Sequence, residues 1–220
     1  MIEATCVCDS VSPDGIRLLT VRCRIPETSW NEVLTHRMFS RNSSSSRAVP
    51  AAKWIEEARS RELRVTPVRW GQNQRGMQQG EELTGDSLRM LRDVWDHAAM
   101  DAAYHAERMV RRNAHKEIVN QILKPYVHAN VVVSSTEWMN FFGLRLDAAA
   151  NPVIRLLAEQ VWWIWCEHEP MLLRPGEWHT PFITSDDHYE DVLTQDQLCK
   201  VSAARCARSI ASQAEIRANI

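Results

Sequence analysis

The sequence predicts an α+β fold dominated by helices, with few strands. Three observations carry that prediction. Apolar residues recur at helical spacing over long stretches, above all across 82–112. Only 16–25 (IRLLTVRCRI) and the β-branched run at 131–133 read as extended chain. Strands and helices nowhere alternate in the rhythm of a Rossmann fold. The 220 residues suit one domain of ordinary size, and 1–220 is read as a single unit.

In chain order, 16–25 forms the first strand and Pro26 ends it. Ser29 to Phe39 predicts a short helix, with Trp30, Val33, Leu34 and Met38 roughly on one face. The serine run 43–46 is too polar for a core, and Pro50 bounds it. It reads as a loop, or as the frayed start of a helix over 51–62. Residues 64–80 (RVTPVRWGQNQRGMQQG) hold three glycines and a proline, so they form a long loop, a kind of element that often carries function. The longest helix follows over 82–112, its stripe made by Leu83, Leu88, Leu91, Val94, Trp95, Ala98, Ala102 and Met109. A helix over 115–124 stops before Pro125. Ser134 and Glu137 have the spacing of a capping box, so a helix is expected to start at Ser134 and carry Trp138, Met139, Phe141, Phe142 and Leu144. A further helix covers 152–168. The stretch 170–193 is irregular, and Thr194 caps a last helix over about 195–212.

Composition narrows the function. Hydrophobic residues make up 45% and charged residues 25%, as in an ordinary globular chain. A net charge of −2 gives the molecule as a whole no electrostatic reason to seek a nucleic-acid polymer or an acidic membrane. No stretch approaches the roughly 18 apolar residues of a membrane span. The N-terminus lacks the basic start and apolar core of a signal peptide. Cysteines 6, 8, 23, 166, 199 and 206 form no CxxC pair, so free thiols in a cytoplasmic protein are expected. Cys166 with His168, or Asp186, Asp187 and His188, lack the spacing of a metal site, and no metal is expected. No GxSxG, P-loop or GxGxxG occurs, so hydrolase, NTPase and dinucleotide-fold readings have no support.

Two segments concentrate chemistry. Residues 35–47 (THRMFSRNSSSSR) offer Arg37, Arg41 and Arg47 as forked cations suited to phosphate. Ser43, Ser44, Ser45 and Ser46 add hydroxyls and small side chains, and Asn42 an amide. A solvated polar loop or a phosphorylation segment is the alternative. The second segment, 134–145 (SSTEWMNFFGLR), brings Asn140 and Arg145 onto a helix whose N-terminus presents free N–H groups. A buried aromatic helix with a surface arginine is the alternative there.

Residues 35–47 resemble the signature of the flavin-dependent thymidylate synthases, the ThyX family. That signature is Arg-His-Arg, seven residues, then a serine, with Asn, Glu and Arg at set places. Here it reads Thr35-His36-Arg37, seven residues, then Ser45, with Asn42 and Arg47 in register. Thr35 replaces the first arginine and Ser43 the glutamate. The resemblance implies a small antiparallel sheet with long central helices. It implies that His36, Arg37 and Asn42 face FAD, and that Thr35 and Ser43 to Arg47 lie against dUMP. The second segment is similar to a family stretch at Asn140-Phe141 and Leu144-Arg145, with Ser134 and Thr136 in place of an opening Asn-x-Arg. By that likeness Ser134, Thr136 and Asn140 join the cofactor site. Arg145 sits on the uracil edge, where it favours ionised N3, and is the expected catalytic group. In 115–125 the family's phosphate-reaching arginine is replaced by Gln121.

The resemblance further implies methylation of dUMP with methylenetetrahydrofolate and NADPH as co-substrates, in a homotetramer with shared sites. Residues 201–207 (VSAARCA) are similar to a segment that opens many family members, and their position after the signature matches permuted, phage-type relatives. For a phage-encoded member the place of action is the host cytoplasm. No SPFEH-like flavin segment follows in SIASQAEIRANI, so the chain reads as shortened at that end. A pyrimidine-nucleotide hydroxymethylase, or a nucleotide-binding homologue without activity, stays open beside the methylating enzyme.

Overall fold

A five-stranded sheet in the order β3-β4-β2-β1-β5 organises the computed structural model, which describes residues 2–184, 187 and 193–208. β1 (Glu3–Val11), β2 (Arg17–Pro26), β3 (Ser40–Ser43) and β4 (His128–Ser135) are joined by antiparallel β1–β2, β2–β4 and β3–β4 pairings. β5 (Met171–Leu172) adds two residues parallel to β1. The fold is the expected helix-rich α+β one, with a sheet that is not wholly antiparallel.

The side-chain alternation of a strand gives the sheet two unlike faces. On β2, Leu19, Val21, Cys23 and Ile25 enter the core; on β4, Ala129, Val131 and Val133 join them. Thr20, Arg22 and Arg24 point the other way, with Ser134, Val132 and Asn130 as their partners. A bulge between Cys6 and Cys8 shifts the register of β1, so that Cys6 pairs with Val21 while Cys8 pairs with Thr20. The bulge thereby turns Cys8 and Ser10 toward the polar face.

Three helices cover the apolar face: α1 (Trp30–Leu34), α5 (Trp138–Arg145) and α6 (Pro152–Glu167). Trp138, Phe141, Phe142, Ile154, Leu157 and Val161 pack there. Each such side chain contributes roughly 1.5–3 kcal/mol by leaving water. Trp138 also donates its indole N–H to Leu19 O at 3.1 Å. Asn151 starts α6 by accepting from Val153 N and Ile154 N, with Pro152 in the first turn.

A second apolar cluster lies between α2 (Ala51–Arg59), α3 (Gly85–Arg111), α4 (Lys116–Val119) and a 3₁₀ segment, Asn120–Tyr126. Trp54, Ile55 and Ala58 of α2 meet Ala103 and Ala106 of α3. Glu57 links this cluster to the sheet: its Oε1 accepts from His128 N (3.1 Å), His128 Nδ1 (2.7 Å) and Arg24 (2.8 Å).

From β5 onward the chain runs back over the polar face. His179 stands on Ser10 and Thr20, and α7 (Gln195–Ala207) reaches β3. Thr194 and Gln197 form a reciprocal capping box at the start of α7. Arg205 grips Phe182 O and both oxygens of Asp187 at 2.7–2.8 Å, and the guanidinium holds that carboxyl well below its usual range.

Several expectations need correction. The stripe on α3 is rotated: Leu91 and Val94 are exposed, while Ala99, Ala103 and Ala106 are fully buried because small side chains let the helices approach. The predicted helix 29–39 is a 3₁₀ turn, Glu27–Ser29, followed by α1, which stops at Leu34; Leu34 and Met38 are exposed. The helix expected over 115–124 tightens to 3₁₀ after Val119 and runs through Pro125. The Ser134–Glu137 box does not form. Ser134 and Ser135 are ladder residues of β4, α5 starts at Trp138, and Ser135 Oγ accepts from Glu137 N. The last helix is described to Ala207; its predicted extension to 212 and the 209–220 tail lie outside the described residues, as do Asp186 and His188. Among the described residues no helix is long and apolar enough to cross a membrane.

Candidate active site

Arg145 ends α5 and donates from Nε to His36 Nε2 at 2.9 Å. His36 lies just beyond α1, where its N–H bonds Val33 O at 3.2 Å. Its ring is buried, edge-on to Phe141 with centroids 4.9 Å apart. Burial lowers its pKa, and the charges of Arg145 and then Arg41 lower it further. A neutral ring that accepts at Nε2 carries its proton on Nδ1. His36 therefore fixes the direction of Arg145 without adding charge. Among the described residues, the two terminal nitrogens of Arg145 make no hydrogen bond. Arg145 lines a cleft of about 500 Å³ with Glu32, Arg69, Met77, Gln78, Gln79 and the turn 148–152.

Arg41 serves the fold instead. It donates to Leu34 O, His36 O and Phe39 O, capping the turn that carries His36. Arg37 is exposed. Thr35 is exposed too, and its hydroxyl donates to Glu32 O at 2.7 Å.

A second cleft, of about 430 Å³, opens on the polar sheet face among Ser40, Arg41, Asn42, Val132, Ser134, Cys206 and Ala207. Asn42 donates to Cys206 O (3.1 Å) and Ala207 O (3.0 Å), which ties the end of α7 to β3. Ser134 shares a 2.6 Å hydrogen bond with Thr20, and Thr20 a 2.8 Å one with His179 Nε2. On its other side His179 Nδ1 meets Ser10 Oγ at 2.7 Å and Cys8 Sγ at 3.4 Å. Burial pulls the His179 pKa down to about 4, opposed only in part by Asp9. Thr136 and Asn140 are exposed and line neither cleft.

The serine run divides. Ser43 closes β3, and Ser44 extends the ladder, its N–H on Asn130 O (2.8 Å) and its Oγ accepting from Asn130 N (3.1 Å). Ser44 is buried, so the sheet rather than a ligand uses its hydroxyl. Ser45 to Arg47 form a turn against α4. Asn120 donates to Ser46 O at 2.7 Å, Lys116 to Ala48 O at 3.0 Å, and Arg47 pairs with Glu117 at 3.4 Å. Gln121, next to Asn120, is exposed. Seven of the expected site residues thus fall into three groups: His36 with Arg145, Asn42 with Ser134, and Ser45–Arg47 beside α4.

The family model described as thymidylate synthase complementing protein matches residues 17–171. The chain belongs to this family. The match runs from β2 to β5, and so contains every expected site residue of this ThyX-type chain but not His179 or α7. No curated protein matches. Solved structures share the fold, among them two of one enzyme. The UMP/dUMP methylase PolB from Streptomyces cacaoi bound with 5-Br UMP has a TM-score of 0.56 at 17% identity, over 78% of this chain and 90% of that one. The same enzyme bound with 5-Br dUMP gives 0.57 at 15%, over 78% and 91%.

Family membership makes the residues that sequence reading passed over more informative. Glu32, Arg69 and Asn151 line the Arg145 cleft, and Thr20, Ser10 and His179 span the polar face. Thr20 left a signal as the first polar residue in the alternation Thr20, Arg22, Arg24, and Arg69 lies in the long loop 64–80. The others arrive through tertiary contact.

Proposed function

We propose that this chain is a flavin-dependent thymidylate synthase, methylating dUMP at C5 with methylenetetrahydrofolate as carbon donor and FAD reduced by NADPH. Family membership supports a thymidylate-synthase-like activity. The observation that carries the reading is Arg145, aimed into a 500 Å³ cleft and held by a neutral histidine. A forked cation fixed before the ligand arrives stabilises negative charge on a uracil edge as it develops, with little reorganisation. Because His36 accepts rather than donates, it leaves the full positive charge of Arg145 facing the ligand.

The polar-face cleft supports the cofactor reading. Its hydroxyl and amide groups beside Val132 suit a ring with a hydrogen-bonding edge and an apolar face, and its volume lies in the usual range for small-ligand sites. Asn42, whose Oδ1 makes no hydrogen bond among the described residues, and Ser134 would hold the flavin there. Bound FAD supplies the hydride. Ser45, Ser46, Arg47 and Gln121 would serve the dUMP phosphate from beside α4, apart from the Arg145 cleft. That separation fits a homotetramer in which one subunit completes another's site. Exposed Met90, Leu91, Val94, Met100 and Tyr104 on α3 offer an apolar surface for such assembly. In this reading 1–220 acts as one unit.

The test has two stages. Purified protein is expected to show a flavin absorbance spectrum; protein that stays colourless after incubation with FAD favours the inactive nucleotide-binding homologue. Arg145→Ala is expected to abolish dTMP formation while FAD stays bound, and unchanged turnover removes Arg145 from the mechanism. Single-turnover product analysis separates methylation from hydroxymethylation.

A further inference from the structure

We infer that the loop 69–83 is a rigid arm of the ligand site, with Arg69 as a second anion-binding cation across the cleft from Arg145. The inference rests on the reading of Arg145 as a ligand-binding residue.

The arm is built rather than loose. Val65 N bonds Tyr126 O at 3.0 Å and Trp95 Nε1 bonds Val65 O at 2.9 Å, which anchors its root. Leu83 N to Trp70 O (2.8 Å), Gln72 N to Glu81 O (2.8 Å) and Gly80 N to Gln72 O (2.9 Å) close it like a hairpin. Gly71 allows the crossing, since a Cβ there would come within 2.5 Å of Gln79 Cβ. Arg69 uses one terminal nitrogen on Gly80 O at 2.8 Å, so the arm itself holds the guanidinium in place.

Charge decides what the cleft takes. Its ionisable lining is Arg69, Arg145 and Glu32: two positive charges and one negative, a balance of +1. Asn151 already donates to Glu32 Oε1 at 2.7 Å. Asn151, the N-cap of α6, and Pro152, its first residue, also line the cleft, and the positive end of that helix dipole adds to the bias. With Arg145 committed to the uracil edge, Arg69 is left to pair its forked donors with an oxyanion elsewhere on the ligands that enter the cleft. For the proposed enzyme this chemistry has two sources, the phosphate of dUMP and the carboxylates of the folate.

Titration of the flavin-loaded protein with dUMP and, separately, with methylenetetrahydrofolate tests it, using Arg69→Ala, Arg69→Lys and Arg145→Ala. Arg69→Ala is expected to weaken one ligand by roughly tenfold or more. Loss toward dUMP names the phosphate, and loss toward the folate names the carboxylate. Arg69→Lys restores part of the affinity, and Arg69→Ala flattens the salt dependence of binding, which a merely structural role would not do. Circular dichroism and Tm check that the variants fold. If both affinities stay within about twofold while Arg145→Ala loses dUMP, the inference is overturned and the proposed function stands. If Arg145→Ala also binds normally, both fall.

Discussion

Acidification should loosen the chain through one half-buried ring. His179 is held between Ser10 Oγ and Thr20 Oγ1 and keeps its proton off down to a pH of about 4, against 6.5 for the free side chain. Desolvation is the main cause. The charge that favours the cation, Asp9, is already engaged by Arg17 at 2.5 and 2.9 Å. Between those two pH values the unfolded chain takes up a proton that the folded chain refuses. The stabilisation from neutral His179 is therefore complete above 6.5 and is lost as pH falls toward 4. At ~1.4 kcal/mol per pKa unit the ceiling is about 3 kcal/mol. Because the ring is only partly buried, solvent screening reduces this to about 1–2 kcal/mol. Carboxylates and other histidines titrate in the same window, so the informative quantity is a difference. Urea unfolding followed by tryptophan fluorescence at pH 7 and pH 4.5 gives it, for wild type and His179→Gln. The wild type should lose about 1–2 kcal/mol more than the variant on acidification. Equal losses in the two proteins would refute the role given to this ring.

Trp138→Ala opens a cavity under the sheet and leaves Leu19 O without its indole donor, so urea unfolding should report a loss of about 3–5 kcal/mol; a loss under ~1 kcal/mol contradicts its place in the core. Asn151→Ala removes the cap of α6 and should lower stability by about 1 kcal/mol in the same assay. Arg47→Ala breaks only an exposed pair with Glu117, so stability should change by less than ~1 kcal/mol. In the proposed enzyme its dUMP dissociation constant should nevertheless rise about tenfold, and an unchanged constant in calorimetry would take Arg47 out of the phosphate site.

How legible the fold was depends on how local its causes are. β2 announced itself because alternate residues serve opposite faces and Pro26 ends it. β1 gave no such signal: the bulge after Cys6 breaks its period of two, and its outer neighbour, β5, is two residues long. β3, four polar residues at the sheet edge, exists only because β4 pairs with it. The capping-box spacing at Ser134 was real, but the β4 ladder and Thr20 claim that serine first. On α3 the large apolar residues misled, since close helix packing selects alanine for the buried face. Within the site, resemblance pointed to His36 and Arg145 separately. Their contact joins residues 109 apart in sequence, and no local pattern encodes it.

The return of the chain over its own sheet has a consequence for synthesis. Val11 receives its parallel partner only from Leu172, Ser10 meets His179 across 169 positions, and Asn42 meets Cys206 across 164. Contacts of such span form late, because a long loop must close before any of them contributes. A chain leaving the ribosome can bury the apolar side of the sheet once α6 has emerged, well before the opposite side is covered. Until residues 171–207 follow, the free edge of β1 and the row Thr20–Ser134 face solvent or a chaperone. The polar-face cleft is therefore among the last parts of the protein to be finished, however early its serines and Asn42 are made.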